Sequence, residues 1–320
     1  MTTAMIRAVR TRFPKARIDM VVREDFLDLI RENPHLDQKI PLSRGSGILG
    51  LWQLANKLRK ERYDLIYDAH RSLRTRVLMP FLSAETKAYF PKHYFIRALA
   101  LTFKLHLLKP KRFLEKFIEP LEKYGVRYDG KGPEIFVSET AKKSARAKVP
   151  FPNGPVVGII PSAQWPGKRW PTERFRATVE RLVRETSFKF IVFGGKEDHF
   201  CETICAGLPL DRVVNAQGKL TLAESIALVE DCRYVIANDT GLLHVADGLS
   251  KPSVLLLGPT SAELGCLPFH AQSRVLEHDL WCRPCSKNGQ APCIRGHRYC
   301  LDLTTVGHVV EAAKLVGASA

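Results

Sequence analysis

The sequence predicts an α/β protein made of two doubly wound units, and three observations carry that expectation. Short apolar runs of strand character alternate with amphipathic helical segments in both halves. Two of these runs end in polar, glycine-containing loops that open a helix, as happens at the carboxyl edge of parallel sheets. The chain has 320 residues, 45% hydrophobic and 26% charged, enough apolar material for two cores of about 150 residues each. It contains no apolar run of the roughly 18 residues needed to span a bilayer, and its N-terminus lacks the apolar stretch of a signal peptide.

In chain order, the stretch from His93 to Leu108 reads as an apolar helix with few cations inside and many at its ends. It suits either a helix lying in a membrane interface or one packed on its own domain with a solvated basic rim. Asp129-Gly130-Lys131-Gly132-Pro133 is a turn-rich break, and Val149 to Pro155 is a second. Placing the boundary in the latter gives domains 1–148 and 149–320. Val156 to Ile160 reads as a strand and is followed by a long loop through Lys168 to Pro171. A helix comes next, with Thr172 as N-cap and an apolar stripe of Phe175, Val179, Leu182 and Val183. Arg233 to Ala237 reads as a buried strand, Val245 to Leu249 continues a short helix, and Ser253 to Thr260 holds the next strand.

The polar cluster Asn238-Asp239-Thr240-Gly241-Leu242-Leu243-His244 therefore sits at the end of a strand and the start of a helix. Unpaired N–H groups and the helix dipole favour an anion there. Gly241 permits close backbone approach, Thr240 offers a hydroxyl, and His244 follows one turn later on the same face. Lys168, in the other strand-to-helix loop, is a mobile point charge suited to phosphate oxygens. The plain alternatives are an Asp N-cap with a core-facing histidine, and a solvated lysine.

Charge divides the chain unevenly. Residues 1–148 hold 31 Lys and Arg against 16 Asp and Glu, and the remainder holds 18 against 17. The basic half implies a polyanionic partner, either nucleic acid or an anionic membrane and its lipids.

Lys168-Arg169-Trp170-Pro171, then Asp239-Thr240-Gly241 with His244, then Leu257-Gly258-Pro259-Thr260, resembles glycosyltransferase family 9, the ADP-heptose:lipopolysaccharide heptosyltransferases. Phe193 to Asp198, Gly218 to Glu224, Arg12 to Val22, Tyr63 to Asp68 and Cys282-Arg283-Pro284-Cys285 through Cys300 agree in order. The likeness is weak over residues 80 to 150. It implies a GT-B fold, two Rossmann-like domains facing a cleft, with a basic acceptor-side domain and a nucleotide-sugar domain. It further implies transfer of a heptose or related sugar from a nucleotide-diphosphate sugar, ADP-heptose by family, to an acidic lipopolysaccharide core or lipid A-type acceptor.

The resemblance assigns Lys168, Asp239, Thr240, Gly241, His244 and Gln164 to the donor diphosphate and sugar. Asp239 is placed on the loop or the sugar hydroxyls, since a carboxylate against phosphate repels it. Asp198 and Leu220 fall on the nucleoside, and Arg71, Arg74 and Arg76 on the acceptor. Ala163 and Gln164 stand where some relatives carry hydroxyl residues, which thins the phosphate shell. No cofactor or catalytic metal is implied. The expected state is a monomer in the cytoplasm, peripheral at the inner membrane's cytoplasmic face, with no nucleic-acid partner.

One departure is large. Family members open with a strand and a Gly-Asp loop whose aspartate is taken as general base. Here the chain begins inside the following helix, at Met1 to Arg10. A start assigned at an internal Met, or a shortened gene, would explain it; a sheet without that strand has two unpaired edges. No catalytic base is named: Asp68 and His70 are not so used in the family. The competing functions are a silent relative that binds nucleotide sugar or glycolipid, and a basic nucleic-acid-binding protein. Cys282, Cys285, Cys293 and Cys300 have spacing suited to structural zinc or to reduced thiols; Cys201, Cys205, Cys232 and Cys266 read as small core residues.

Overall fold

The computed structural model describes residues 1–92, 99, 102–103, 112–150, 154–264, 267–285 and 288–320. Most of the His93–Leu108 segment, and Cys266, lie outside these. Among the described residues no helix is long and apolar enough to cross a membrane. The described residues form two compact units, one holding 1–92 and 112–136, the other holding 137–150 and the described residues from 154 to 320.

The first unit runs α1 (Thr3–Arg12), β1 (Asp19–Arg23), β2 (Gln38–Leu42), α2 (Gly47–Arg59), β3 (Tyr63–Asp68), α3 (Leu73–Leu78), β4 (Ala84–Tyr89) and α4 (Phe113–Ile118). β1 pairs in parallel with β2, and β3 with β4, as two separate ladders. Both pairs occupy one layer between the same two apolar clusters. Met20, Val22, Leu65 and Tyr67 pack on the cluster of Met5, Ile6, Phe90 and Ile118, while Val21 and Ile66 pack on Ile40, Leu54, Leu58 and Leu78. β1 and β3 touch near their starts, where Tyr63 Oη donates to Asp19 Oδ2 (2.8 Å) and Arg17 Nη1 to Glu61 Oε2 (2.9 Å). No residue of β1 is fully buried, and only Asp68 of β3 is. The described residues supply no strand between them. Arg7 on α1 ties the 129–134 turn to this unit, bonding Asp129 and Glu134 at 2.7 Å each.

The second unit holds α5 (Glu139–Lys148), β5 (Val156–Ile160), α6 (Thr172–Glu185), β6 (Lys189–Val192), α7 (Phe200–Cys205), β7 (Val213–Asn215), α8 (Leu222–Asp231), β8 (Tyr234–Asn238), α9 (Gly241–Gly248), β9 (Ser253–Leu256), β10 (Arg274–Leu276), α10 (Tyr299–Asp302) and α11 (Val306–Ser319). Its parallel sheet has the order β10-β9-β8-β5-β6-β7. The order in which successive strands are added therefore reverses between β5 and β8, with all strands parallel. Every residue of β5, β8 and β9 is buried, as continuous apolar runs covered on both faces should be. Val157, Ile159, Ile236 and Val254 meet Phe175, Val179 and Leu182 of α6 and Val309, Ala313 and Val316 of α11.

The change of unit falls after Phe136 rather than at 148/149, because α5 is anchored to α8. The buried Glu224 accepts from Ser144 Oγ (2.6 Å) and Lys148 Nζ (2.7 Å to Oε1) and closes a capping box with Thr221. Thr172 is the first helical residue of α6, and Pro171 holds the cap position without a side-chain bond. Its ring fixes φ and leaves no N–H to satisfy.

Burial alone would raise the Glu224 carboxyl, but Lys148, Ser144 and Thr221 outweigh it and hold it near about 2, below the ordinary 4.5. The depressed folded value means its contribution is fully present above about pH 4.5 and is lost as pH falls through about 2. Glu224→Ala should remove about 1–3 kcal/mol at neutral pH. The difference from wild type in thermal unfolding should shrink as the acid limit is approached. An equal difference at pH 7 and pH 2.5 would show that the carboxylate is not the source.

Candidate functional site

The loops after β5 and β8 meet where the strand order reverses, the usual ligand position in such sheets. Asn238, the last residue of β8 and fully buried, joins them. Its Oδ1 accepts from Trp170 N (3.1 Å) and its Nδ2 donates to Pro161 O (2.6 Å). Trp170 is itself buried, with Nε1 donating to Thr304 O at 3.0 Å. The loop carrying Lys168 is thus pinned at both ends to the central strands.

Lys168 follows from that docking. Its Nζ lies 2.6 Å from Asp239 Oδ2, with the two side chains 13% and 7% exposed. Thr260 Oγ1 donates to the same oxygen at 2.9 Å. An ammonium has three donors, and Asp239 accounts for one. The carboxylate orients the lysine. Behind it, the buried Arg283 donates to Gly258 O (2.7 Å), Thr260 O (2.6 Å) and Glu277 Oε2 (3.0 Å), fixing the loop that carries Thr260. Gly289 closes over Lys168: φ is +79°, and a Cβ there would come within 2.7 Å of Lys168 Cγ.

Thr240 caps α9 with no side-chain capping bond, so its hydroxyl is not used by the helix. A Cβ added at Gly241 would meet nothing within 4 Å, leaving open space over the first N–H groups of α9. Burial brings His244 down to about 4, against the opposing pull of Asp239. The imidazole is neutral at physiological pH, and its buried Nδ1 has no hydrogen-bond partner.

The other expected residues are placed differently. Asp198 Oδ2 accepts from Ser162 Oγ (2.7 Å) and Gly195 N (2.8 Å), and Oδ1 faces Arg169 at 3.6 Å. One oxygen expected for a ribose hydroxyl already holds the β5 and β6 loops together. Gln164 is exposed, and Leu220 is half-buried beside the Thr221 cap. In the first unit Arg71 precedes α3, Arg74 lies in its first turn and Arg76 in its last. Arg71 takes φ of +48°, held by its N–H on Asp68 Oδ1 (2.7 Å), and Arg74 Nη2 donates to Arg44 O (2.9 Å).

Cys201 and Cys232 are buried and Cys205 half-buried. Burial, and then the neighbouring thiols of Cys285, Cys293 and Cys282, push Cys300 up to about 11. Among the described residues no group of three or more His, Cys, Asp or Glu side chains is arranged to hold a metal.

Sequence reasoning gave no role to Asn238, Thr260, Ser162, Arg283 or Gly289. Asn238 carried a readable signal, a polar side chain ending an otherwise apolar buried strand. Thr260 ended a motif that carried the family resemblance, but its partner Asp239 is 21 residues away; Gly289 meets Lys168 across 121 residues, and no local pattern marks it.

Residues 51–293 match glycosyltransferase family 9 (heptosyltransferase). The chain is similar to lipopolysaccharide heptosyltransferase 2 of Escherichia coli K12, 28% identical over 302 residues, covering 86% of this chain and 83% of that one. Among solved structures it is similar to a family 9 glycosyltransferase from Veillonella parvula, with a TM-score of 0.81, 23% identity, and coverage of 100% of this chain and 93% of that chain. It is also similar to the E. coli ADP-heptose lipopolysaccharide heptosyltransferase II, with a TM-score of 0.74, 22% identity, and coverage of 99% and 94%.

Proposed function

Because this chain belongs to glycosyltransferase family 9, the heptosyltransferase family, we propose that it transfers heptose from ADP-heptose to an acidic core or lipid A-type acceptor of lipopolysaccharide. The observation that carries the donor half is the Lys168–Asp239–Thr260 cluster beside the open N-terminus of α9. Departure of a nucleoside diphosphate builds negative charge on phosphate oxygens, and fixed donors aimed at that charge lower the barrier. Lys168 supplies a cation held in place by Asp239. Thr240 and the N–H groups at Gly241 supply neutral donors along the helix axis. His244, neutral and enclosed, offers a donor or acceptor to a sugar hydroxyl or phosphate without adding charge.

The acceptor half rests on the first unit. Arg71, Arg74 and Arg76 follow the carboxyl end of β3, where fork-shaped guanidinium groups suit the phosphates of an acidic glycolipid. The basic half supports a peripheral position at the inner membrane's cytoplasmic face. The nucleoside contacts are proposed at Leu220 and the Asp198 loop, and Gln164 at the outer edge of the phosphates.

The test is incubation with radiolabelled ADP-heptose and heptose-deficient lipopolysaccharide. Label is expected in the glycolipid fraction. Tight ADP-heptose binding with no label in glycolipid would replace transfer with binding as the activity.

A further inference from the structure

Six large apolar side chains of the first unit point into solvent from two helices packed on each other. They are Ile48, Leu49 and Trp52 on α2, Leu73 and Val77 on α3, and Phe81 just after it, between 45% and 83% exposed. The opposite faces of these helices are buried: Leu54 and Leu58 of α2 and Leu78 of α3 cluster with Met79 and Leu82, which follow α3. Arg74 Nη2, bonded to Arg44 O, ties the start of α3 to the turn before α2. Exposed apolar residues grouped in this way mark an interaction surface.

Charge identifies the partner. Residues 43–60 and 69–83 contain Arg44, Lys57, Arg59, Lys60, Arg71, Arg74 and Arg76 and no Asp or Glu. All but Arg71 are exposed. A protein partner of ordinary surface composition would leave so many like charges uncompensated. An anionic lipid bilayer meets both demands, taking the tryptophan and aliphatic side chains at the level of its headgroups and pairing the cations with its phosphates.

We propose that the α2–α3 face is the surface by which this protein docks on anionic phospholipid membranes. The proposal rests on the glycolipid-acceptor reading, and it places the membrane contact on described residues distinct from the His93–Leu108 segment. Membrane contact on this face would also bring the α3 arginines to the level of lipid phosphates.

Flotation with vesicles of two parts phosphatidylcholine to one part phosphatidylglycerol tests it on the full chain. Binding is expected there, weakened by salt, and not to phosphatidylcholine alone. Brominated lipid should quench wild-type tryptophan fluorescence more than that of Trp52→Gln. The double variant Leu49→Gln/Trp52→Gln should lose about tenfold or more in vesicle partitioning, with thermal unfolding unchanged because both side chains are exposed. Heptose transfer to a water-soluble core oligosaccharide should stay at wild-type level. Equal vesicle binding by wild type and double variant overturns the proposal. So does absence of binding to the anionic vesicles, or a wild-type dimer that the double variant converts to monomer. Failure of heptose transfer with intact, patch-dependent vesicle binding overturns the glycolipid-acceptor reading and leaves the docking face in place.

Discussion

Lys168→Ala is expected to weaken binding of ADP and ADP-heptose by roughly 10- to 150-fold, the effect of losing a charged hydrogen bond of about 1.5–3 kcal/mol. The lysine is positioned before any ligand arrives, since Asp239 Oδ2 holds Nζ at 2.6 Å and little ordering entropy remains to be lost on binding. Removing the ammonium also leaves Asp239 nearly buried with Thr260 as its remaining named donor. The variant therefore carries a stability cost, to be measured separately by thermal unfolding. Asp239→Asn separates the two effects: its amide oxygen can still accept from Thr260 and Lys168, while the charge is withdrawn and the other oxygen is replaced by an NH2 donor. Its affinity should fall less than that of Lys168→Ala. Calorimetric titration with ADP decides the matter, and an affinity within twofold of wild type in Lys168→Ala would remove the lysine from the diphosphate.

Asn238→Asp is expected to be the most destabilising near-isosteric change in the second unit. The side chain is 0% exposed and uses both ends of its amide, accepting from Trp170 N and donating to Pro161 O. Aspartate keeps the acceptor but sets a carboxylate against the Pro161 carbonyl in a site closed to water. The residue must either bury an unpaired charge or take up a proton, and either costs about 3 kcal/mol or more. For a unit of this size the midpoint should fall by roughly 6–12 °C. Because the same amide docks the Lys168 loop, ADP affinity should fall together with the midpoint. A variant with wild-type midpoint and affinity would mean that Trp170 and Pro161 hold the loop without it.

Much of the second unit was legible because its rules are local. Val156 to Ile160 and Arg233 to Ala237 are apolar runs of strand length ended by polar loops, and they became the two central strands. The Asp239-Thr240-Gly241 cluster lay at the carboxyl edge, where chemistry needs N–H groups and space. The contacts that set the geometry were not legible. Lys168 finds Asp239 71 residues on, and α5 finds α8 through Lys148 and Glu224, 76 residues apart. Nothing near Ser144 or Lys148 marks them as partners of a buried carboxylate, so the turn-rich 149–155 segment looked like the boundary. Asp198 shows the converse: a strand-end carboxylate reads as a ligand group, but Ser162 and Gly195 had already claimed one of its oxygens.

The two parallel ladders of the first unit share a layer yet do not pair, so the facing edges of β1 and β3 present backbone donors and acceptors to whatever strand comes near. In a neutral protein, copies would tend to join edge to edge and precipitate. Here both edges belong to the basic half, whose excess of lysine and arginine makes two approaching molecules repel. The cations read above as contacts for phosphate thus also act as colloidal protection for these open strand edges. That protection is only as long-ranged as the Debye length, about 8 Å at physiological ionic strength, so concentrated salt removes it and leaves the edges to find each other.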